Sequence, residues 1–325
     1  MKLTQFVSAT ALVPFLCFGG SAIAAQKWDM PLAYPATNFQ SVNAAAFGGC
    51  VKSGTSGEIE IVTHPGGSLF KGNDIKRAVQ TGQVPIGERL LSAHENENPI
   101  FGLDSVPFLA TSYEASNKLW GAGRSQFESV LDQQGLILLY SVPWPPQGFY
   151  FKKEVNKVAD MAGTKVRSYN NSTGRVAELS GMVPVQIEAA EITQALITGV
   201  IESLITSAVT GQDSKAWEQL TYFYKVNAWL PRNYVIVNKD AWVALDDKTK
   251  STIKACAATA EANGFKMSQE SNEKALKDLA QHGMKVLDPS KDLAAELRKI
   301  GETVTSDWKT KMGDTGKAVI DAYSK

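Results

Sequence analysis

Short stretches of alternating or continuous apolar residues recur along the chain and predict β-strands. Between them lie stretches with helical spacing, bounded by residues that favour helix ends, such as the pairs Asn73 with Gly82 and Ser112 with Gly135. Because strands and helices alternate, the order predicts an α/β chain with mostly parallel sheets. The predicted strands cover residues 28–33, 58–62, 136–140, 164–167, 200–205, 234–237 and 284–287.

The C-terminal third of the chain predicts two long helices. Residues 247–282 contain Gly264 as their one marked helix breaker, and Gly283 follows as a stop signal. At a rise of 1.5 Å per residue such a helix is about 50 Å long, which is enough to connect two lobes. After Pro289, apolar residues at helical spacing predict a stripe that faces the core. The stripe consists of Leu293, Leu297, Ile300, Val304, Trp308 and Met312.

Residues 1–25 have the pattern of a secretory signal peptide. Lys2 precedes an apolar run over residues 6–18, and small residues follow up to Ala24 and Ala25, where we expect cleavage. The apolar run is too short and wrongly flanked to span a membrane. We therefore expect an exported, periplasmic mature chain, whose roughly 300 residues suit two lobes of about 150 residues each.

The charge pattern argues against polyanionic partners. The sequence contains 33 Lys and Arg residues against 33 Asp and Glu residues, and the basic residues are scattered singly. Without a basic patch, neither nucleic acid nor an anionic membrane surface is an expected partner.

No motif for a metal, a cofactor or common exported enzymes is present. His64, His94 and His282 are isolated, so no pair of imidazoles shares a helical face for zinc, and no phosphate-binding loop occurs. We expect neither enzymatic activity nor a cofactor. The competing hypothesis is an exported enzyme that uses Glu88, Glu191 or Glu202 as its acid or base.

Two cysteines remain after export, Cys50 and Cys256, about 200 residues apart in sequence. The oxidising compartment permits a disulfide. Two buried free thiols are the favoured interpretation, since free cysteine is often buried as a small apolar residue.

Four ordered motifs resemble the solute-binding receptors of tripartite ATP-independent periplasmic (TRAP) transporters. "SLFKGNDIKRAVQTGQVPIGE" (68–88) is similar to a family segment in which a helix and Gln-x-Gly lead into a strand, and "VPFL" (106–109) to the Pro-Phe that follows. "VADMAGTKVRS" (158–168) resembles the family's Asp-Leu-x-Gly-x-Lys-Ile-Arg element. "AEITQALITGVIES" (190–203) resembles its Glu-Val-Tyr-x-Ala-Leu-Gln-x-Gly-Val-Ile-Asp-Gly element.

The resemblance implies an α/β, two-lobe periplasmic binding protein fold, a type II-like Venus flytrap with a long helix spanning both lobes. We place lobe I at residues 26–145 plus 232–272 and lobe II at 146–231 plus 273–325. The family delivers its ligand to a gradient-driven membrane permease with a small and a large subunit. For this chain we expect a small-molecule organic acid as ligand, that permease as partner, and a monomeric receptor.

In the family, the arginine that ends the Lys-Ile-Arg strand binds the ligand's carboxylate, and Arg167 occupies that position here. A guanidinium offers a planar fork of donors that matches the two oxygens of a carboxylate. Ligands of open α/β sheets bind at the carboxyl ends of strands. We therefore predict that Arg167 anchors the ligand and that Tyr169 and Asn170 line the cleft. The glycosylation sequons at Asn170 and Asn171 are interpreted as incidental.

Departures from the family pattern bear on the ligand. The family commonly has an aromatic residue and an asparagine where this chain has Ala190 and Thr206, which suggests an enlarged cleft. Rings and polar groups flank it in the segments 141–151 and 226–234, namely Trp144, Gln147, Phe149, Tyr150, Trp229 and Arg232. A flat ligand held by stacking fits this pattern. We predict an aromatic carboxylate such as benzoate or hydroxybenzoate, with a small aliphatic hydroxy or keto acid as the alternative.

Four further residues are candidate ligand contacts from the first lobe. Glu88 and Arg89 end an element that carries polar ligands in the family, although a surface salt bridge explains them equally well. Tyr34 and Asn38 lie in the turn after the first strand. A second binding hypothesis is the receptor of an ABC importer, because the two classes look alike in sequence outline.

Overall fold

The structure is a computed structural model that describes residues 25–325. The predicted signal peptide lies outside the described residues except for Ala25. Eleven strands form three sheets within this part of the chain. They are β1 Gln26–Pro31, β2 Ile59–His64, β3 Ile86–Leu90, β4 Leu136–Pro143, β5 Gln147–Phe151, β6 Lys165–Ser168, β7 Val183–Gln186, β8 Ser203–Ser207, β9 Tyr222–Tyr224, β10 Arg232–Asn238 and β11 Lys285–Leu287.

The helices lie between these strands, as the alternating pattern predicts. They are α1 Phe39–Gly54, α2 Gly72–Gln80, α3 Tyr113–Gln133, α4 Asn171–Leu179, α5 Ile192–Ile197, α6 Ala208–Asp213, α7 Lys239–Val243, α8 Asp247–Gln281 and α9 Lys291–Ser324. Short 3₁₀ helices cover Leu91–His94, Pro99–Ser105, Val158–Met161, Ala189–Glu191 and Ala216–Glu218. Ser112 caps α3 as predicted, whereas Asn73 lies inside α2, whose N-cap is Lys71.

Among the described residues four strand pairs are parallel and four are antiparallel, which corrects the prediction of mostly parallel sheets. Parallel pairs join β1 to β2, β6 to β7 and β8, and β9 to β11. Two strands, β5 and β10, run antiparallel to both of their neighbours. β5 begins at Gln147, shortly after β4 of the other lobe's sheet, and β10 begins at Arg232, shortly after β9 of the other lobe's sheet. Each of the two strands therefore enters its sheet from the end opposite to that of its neighbours.

The sheets lie in two lobes. The three-stranded sheet has the order β3-β10-β4 and, with β1 and β2, belongs to the first lobe. The six-stranded sheet has the order β11-β9-β5-β8-β6-β7 and belongs to the second. Hydrophobic side chains pack on these sheets in buried clusters. The residue boundaries given above for the lobes stay a prediction.

Helix α8 connects the two lobes, as its predicted length suggests. It packs on α1 and β4 of the first lobe and on α6 and β11 of the second. The side chain of Asp246 caps its first turn, and the helix ends just before His282 and Gly283, which has a φ of 87°. Helix α9 also contacts both lobes, through α3 on one side and α4 on the other. Of its predicted stripe, all residues except the half-buried Ile300 are buried.

A disulfide joins Cys50 of α1 to Cys256 of α8, which corrects the favoured interpretation of two free thiols. The two Cα atoms lie 5.8 Å apart, because α1 packs lengthwise against the first part of α8. The sequence separation of the two cysteines carries no information on this packing. The bond therefore fastens the connecting helix to the first lobe.

Gly264 marks the point at which α8 passes closest to β4. A Cβ atom at this position would overlap Val142 Cγ2 and would lie 2.8 Å from Asn43 Nδ2. Asn43 also donates to the carbonyl of Ala260, one turn earlier, at 3.0 Å. The one glycine in this long helix is therefore required by close packing and does not mark a break in it.

We expect Gly264→Ala to lower the free energy of unfolding by about 1 to 2 kcal/mol. Overpacking costs about 1 to 3 kcal/mol, and alanine's better helix propensity returns up to about 1 kcal/mol. Gly121 in α3 is the matched control, because a Cβ atom added there would have no neighbouring atom within 4 Å. Gly121→Ala should raise stability by about 0.5 to 1 kcal/mol. Urea denaturation of both variants measures this, and equal shifts would contradict the packing argument.

Candidate functional site

A small cavity lies where the lobes meet, at the carboxyl ends of β6 and β8. Its volume is about 280 Å³, including the part open to solvent. Six of the predicted contact residues line it: Tyr34, Trp144, Gln147, Arg167, Tyr169 and Thr206. The cavity is small, so it suits a small ligand. Ala190, from which we expected an enlarged cleft, is exposed and does not line this small cavity.

Among residues 25–325, Arg167 is the only cationic side chain that lines this cavity. It is 5% exposed, and its Nε donates to the backbone carbonyl of Ile187 at 2.9 Å. This bond fixes the guanidinium plane and does not use the two terminal nitrogens. The ring of Tyr169 lies under the guanidinium, with its centroid 4.8 Å from Cζ. Burial lowers the pKa of Arg167, although arginine stays charged at neutral pH. The site therefore offers a buried, oriented positive charge.

A chain of hydrogen bonds holds the second-lobe wall of the cavity. The indole Nε1 of Trp229 donates to the hydroxyl of Tyr169 at 2.9 Å, and that hydroxyl donates to Oε1 of Gln147 at 3.0 Å. Gln147 Nε2 in turn donates to the carbonyl of Pro145 at 2.8 Å. Trp229 is buried behind this wall and does not line the cavity. It holds Tyr169 in place instead of stacking on a ligand.

A second chain of hydrogen bonds holds the first-lobe wall. Trp144 Nε1 donates to Oδ1 of Asn233 at 2.8 Å, and Asn233 Nδ2 donates to Oε1 of Glu88 at 2.8 Å. Burial raises the pKa of Glu88 to about 7, and the bond from Asn233 opposes the rise. Glu88 is 2% exposed and does not line the cavity, so it is neither a surface ion pair nor a wall residue. It positions Trp144 through Asn233.

Three predicted contact residues connect the lobes beside the cavity. Arg89 Nη2 contacts Asn73 and lies 3.4 Å from Glu188 Oε1, across the cleft. Gly72, at the start of α2, leaves room for this pair, since a Cβ there would lie 2.5 Å from Glu188 Oε2.

The other two are helix caps. Asn38 caps α1 and donates to Asp213 at 2.7 Å, and Asn170 caps α4 and donates to Ser92 at 3.0 Å. These contacts hold the lobes in a closed arrangement.

The structure does not bring Phe149 or Arg232 to the cavity. Phe149 lies in the hydrophobic core of the second lobe, where its ring stacks on Phe151 at 6.4 Å between centroids. It is two residues further along β5 than Gln147, and only the first residue of that strand reaches the cleft. Arg232 is buried in a separate cluster with Ser141 and Asn117, and its backbone N–H bonds to Asp104.

Sequence reasoning missed four residues that line the cavity. They are Leu90, Ala189, Thr210 and Pro231. Thr210 and Ala189 follow the ends of β8 and β7, so the rule that ligands meet the carboxyl ends of strands points towards them. Leu90 and Pro231 carry no polar group, and nothing in the sequence distinguishes them from core residues.

The acid and base residues of the enzyme hypothesis do not converge on the cavity. Glu88 does not line it and accepts a bond from Asn233 instead, and Glu191 is exposed on the surface. Glu202 precedes β8, at the opposite edge of the sheet from Arg167. Within residues 25–325, no group of three or more His, Cys, Asp and Glu is placed to hold a metal ion. In the same range, no helix has the length and hydrophobicity needed to cross a membrane.

Comparison with known proteins gives consistent likenesses over nearly the whole described chain. A TRAP solute-binding protein from a marine metagenome, described as specific for pyroglutamate and crystallised with co-purified pyroglutamate, is 51% identical. The match covers 92% of this chain and 99% of that one, with a TM-score of 0.91. DctP6 of Bordetella pertussis, an extracytoplasmic solute receptor binding pyroglutamic acid, is 45% identical with the same coverage and TM-score.

More distant likenesses agree on the class of protein. A monocarboxylate 2-oxoacid-binding periplasmic protein of Nostoc sp. is 26% identical over 282 residues, which are 84% of this chain and 77% of that protein. The family model for bacterial extracellular solute-binding proteins of family 7, DctP, matches residues 33–311. The chain therefore belongs to the DctP family, the periplasmic solute-binding receptors of TRAP transporters.

Proposed function

We propose that this TRAP receptor binds pyroglutamate, captures it between the two lobes with Arg167 on the carboxylate, and delivers it to a permease with a small and a large membrane subunit. The observation that carries the proposal is the small cavity, which within the described chain contains one buried cation and otherwise only neutral side chains. Three solved structures with 42 to 51% identity support the choice of ligand, since each is described as binding pyroglutamate.

The charge of the cavity favours a ligand with one negative charge. Arg167 lines the cavity, and no carboxylate from residues 25–325 does. A buried charge without a partner is costly, so a second carboxylate or an ammonium group on the ligand would find no compensation here. Pyroglutamate carries a single carboxylate, and its ring amide is polar but neutral. Glutamate, its open-chain form, carries two further charges.

Thr206 is suited to assist Arg167. Leu204 of β8 pairs with Arg167 of β6, and Thr206 lies two residues further along the same strand. Alternation along the strand directs Thr206 to the same face as Leu204, near the carboxyl end of β6, where Arg167 is the last residue but one. Its hydroxyl can therefore donate to the carboxylate that Arg167 binds.

The prediction of an aromatic carboxylate finds no support. The neighbours with the highest identity given above bind a non-aromatic lactam. In this structure the rings of the cavity pack on one another, with Tyr34 and Trp144 at 4.6 Å and Phe39 behind Trp144 at 5.2 Å between centroids.

A small 2-oxo acid is the second candidate ligand. The Nostoc relative is named for this class, and such an acid also carries one carboxylate and a neutral carbonyl group. The single cation of the cavity fits both ligands, so charge alone does not separate them. We favour pyroglutamate because the sequence identity to the pyroglutamate receptors is larger.

Thermal unfolding with a panel of acids tests the proposal. The purified protein is first unfolded and refolded to remove any co-purified ligand. Pyroglutamate at about 100 times its Kd is expected to stabilise the protein by about 2.7 kcal/mol and to raise Tm on the order of 5 °C. Glutamate, proline, benzoate and pyruvate serve as comparisons at equal concentration. A shift with benzoate or pyruvate and none with pyroglutamate would refute the proposed ligand.

A further inference from the structure

The hydroxyl of Tyr34 differs from the polar groups of Tyr169, Gln147 and Trp144, which bond to other side chains or to the backbone. The hydroxyl proton of Tyr169 is already committed to Gln147, and the indole N–H of Trp144 is committed to Asn233. The amide of Gln147 is bonded at both ends. The Tyr34 hydroxyl, in contrast, makes no hydrogen bond to a residue within 25–325, and it is not fully enclosed by protein but reaches the cavity.

Tyr34 is buried, and its neutral phenol is held in place. The residue is 7% exposed, and its ring packs against Trp144 with 4.6 Å between centroids. Burial raises the pKa of Tyr34 far above its ordinary value, so the proton stays on the oxygen. Buried tyrosine hydroxyls usually have a hydrogen-bond partner. A hydroxyl on the wall of a ligand cavity without such a partner is a donor available to the ligand.

Tyr34 and Arg167 come from different lobes. Tyr34 follows β1 in the first lobe, and Arg167 lies on β6 in the second. Both line the same small cavity. A ligand that bonds to Arg167 with one end and to Tyr34 with the other therefore connects the two lobes directly.

We propose that Tyr34 is a specificity-determining residue, whose hydroxyl donates a hydrogen bond to the ring carbonyl oxygen of the ligand while Arg167 binds the carboxylate. This inference rests on the proposed function, because it concerns the second polar group of pyroglutamate. Arg167 serves any small carboxylate, whereas Tyr34 distinguishes a lactam from a plain ring acid. The same bond requires both lobes to be closed, so recognition of the amide and closure coincide.

The test compares two ligands on two variants. Cyclopentanecarboxylate has the five-membered ring and the carboxylate of pyroglutamate but lacks the amide. Titration calorimetry on the refolded protein gives the pyroglutamate affinity, and displacement titration quantifies the weaker analogue. Tyr34→Phe removes the hydroxyl and keeps the ring that packs on Trp144. Loss of one hydrogen bond is expected to weaken pyroglutamate binding by about tenfold and to leave the analogue unchanged within about twofold.

Tyr140→Phe is the matched control. Tyr140 is 1% exposed and its hydroxyl is also buried without a partner among residues 25–325, but it does not line the cavity and packs on Phe47 instead. This variant should bind both ligands as the wild type does. A selective effect of Tyr34→Phe and none of Tyr140→Phe supports the inference.

Two results overturn the inference, and they differ from each other. If the wild type binds pyroglutamate and Tyr34→Phe weakens both ligands equally, or weakens neither, Tyr34 does not recognise the amide although the proposed function stands. If the refolded wild type binds no pyroglutamate, the proposed function fails and this inference fails with it.

Discussion

Replacing Arg167 with alanine is expected to weaken pyroglutamate binding by about 2 to 5 kcal/mol, which is roughly 30-fold to several thousand-fold in Kd. Within the described residues the guanidinium is the one positive charge that lines the cavity, and its orientation is fixed by the bond from Nε to Ile187. Without it, the carboxylate of the ligand would lose its charged partner in the cavity. Titration calorimetry on refolded protein measures the change.

Arg167→Lys separates charge from geometry. Lysine keeps the positive charge but presents it as a point, without the planar fork that matches a carboxylate. We therefore expect an affinity between those of the wild type and Arg167→Ala. Equal affinities of Arg167→Lys and wild type would show that charge alone suffices.

Arg175→Ala is the control for a lost positive charge near the site. Arg175 lies on the exposed face of α4 and pairs with Glu178 and Asp307 at the surface. Surface pairs of this kind contribute about 0 to 1 kcal/mol, so neither stability nor affinity should change much. In contrast, Arg167→Ala should lose the ligand-induced rise in Tm without lowering the Tm of the ligand-free protein. A wild-type affinity of Arg167→Ala would remove the central role assigned to this residue.

The sequence predicted the position of Arg167 because the feature is local. A short strand that ends in arginine can be recognised from its own residues and from the family motif, and both place the side chain at the carboxyl end of β6. The same logic explains the successful placement of Trp144, Gln147, Tyr169 and Thr206 around one cavity. Each lies at or next to the end of a strand that points into the cleft.

The sequence did not predict which of these side chains face a ligand and which hold each other. Phe149 and Gln147 belong to the same strand and the same face by alternation, yet two residues place them about 7 Å apart along β5. Trp229 was expected to stack on a ligand, but its indole N–H bonds to Tyr169 from behind. Such assignments depend on how far each strand extends into the lobe, which is a property of the assembled fold.

The direction of β5 and β10 likewise could not be predicted from the sequence. An alternation of strands and helices normally implies parallel pairing, because each helix returns the chain to the same end of the sheet. Here β5 follows β4 after a short crossing between lobes, without an intervening helix. A strand that enters its sheet in this way has no helix to reverse it, so it runs antiparallel to its neighbours.

Removal of the Cys50–Cys256 disulfide is expected to lower the free energy of unfolding by about 2 to 5 kcal/mol. The bond closes a loop across a sequence separation of 206 residues, so its loss frees a large part of the unfolded chain. The suitable variant combines Cys50→Ser, at an exposed position, with Cys256→Ala, at a buried one. Urea denaturation of the variant and the wild type at one temperature measures the difference.

A measurement of ligand affinity shows whether loss of the disulfide affects only the stability of the protein. Neither cysteine lines the cavity, and both lie where α1 packs on α8 in the first lobe. At 25 °C, where both proteins are folded, the double variant should bind pyroglutamate within about twofold of the wild type. Wild-type protein reduced with dithiothreitol should reproduce the lowered stability without any mutation. A double variant within about 1 kcal/mol of the oxidised wild type would contradict the expectation, and it would mean that packing between α1 and α8 holds the connecting helix without the covalent bond.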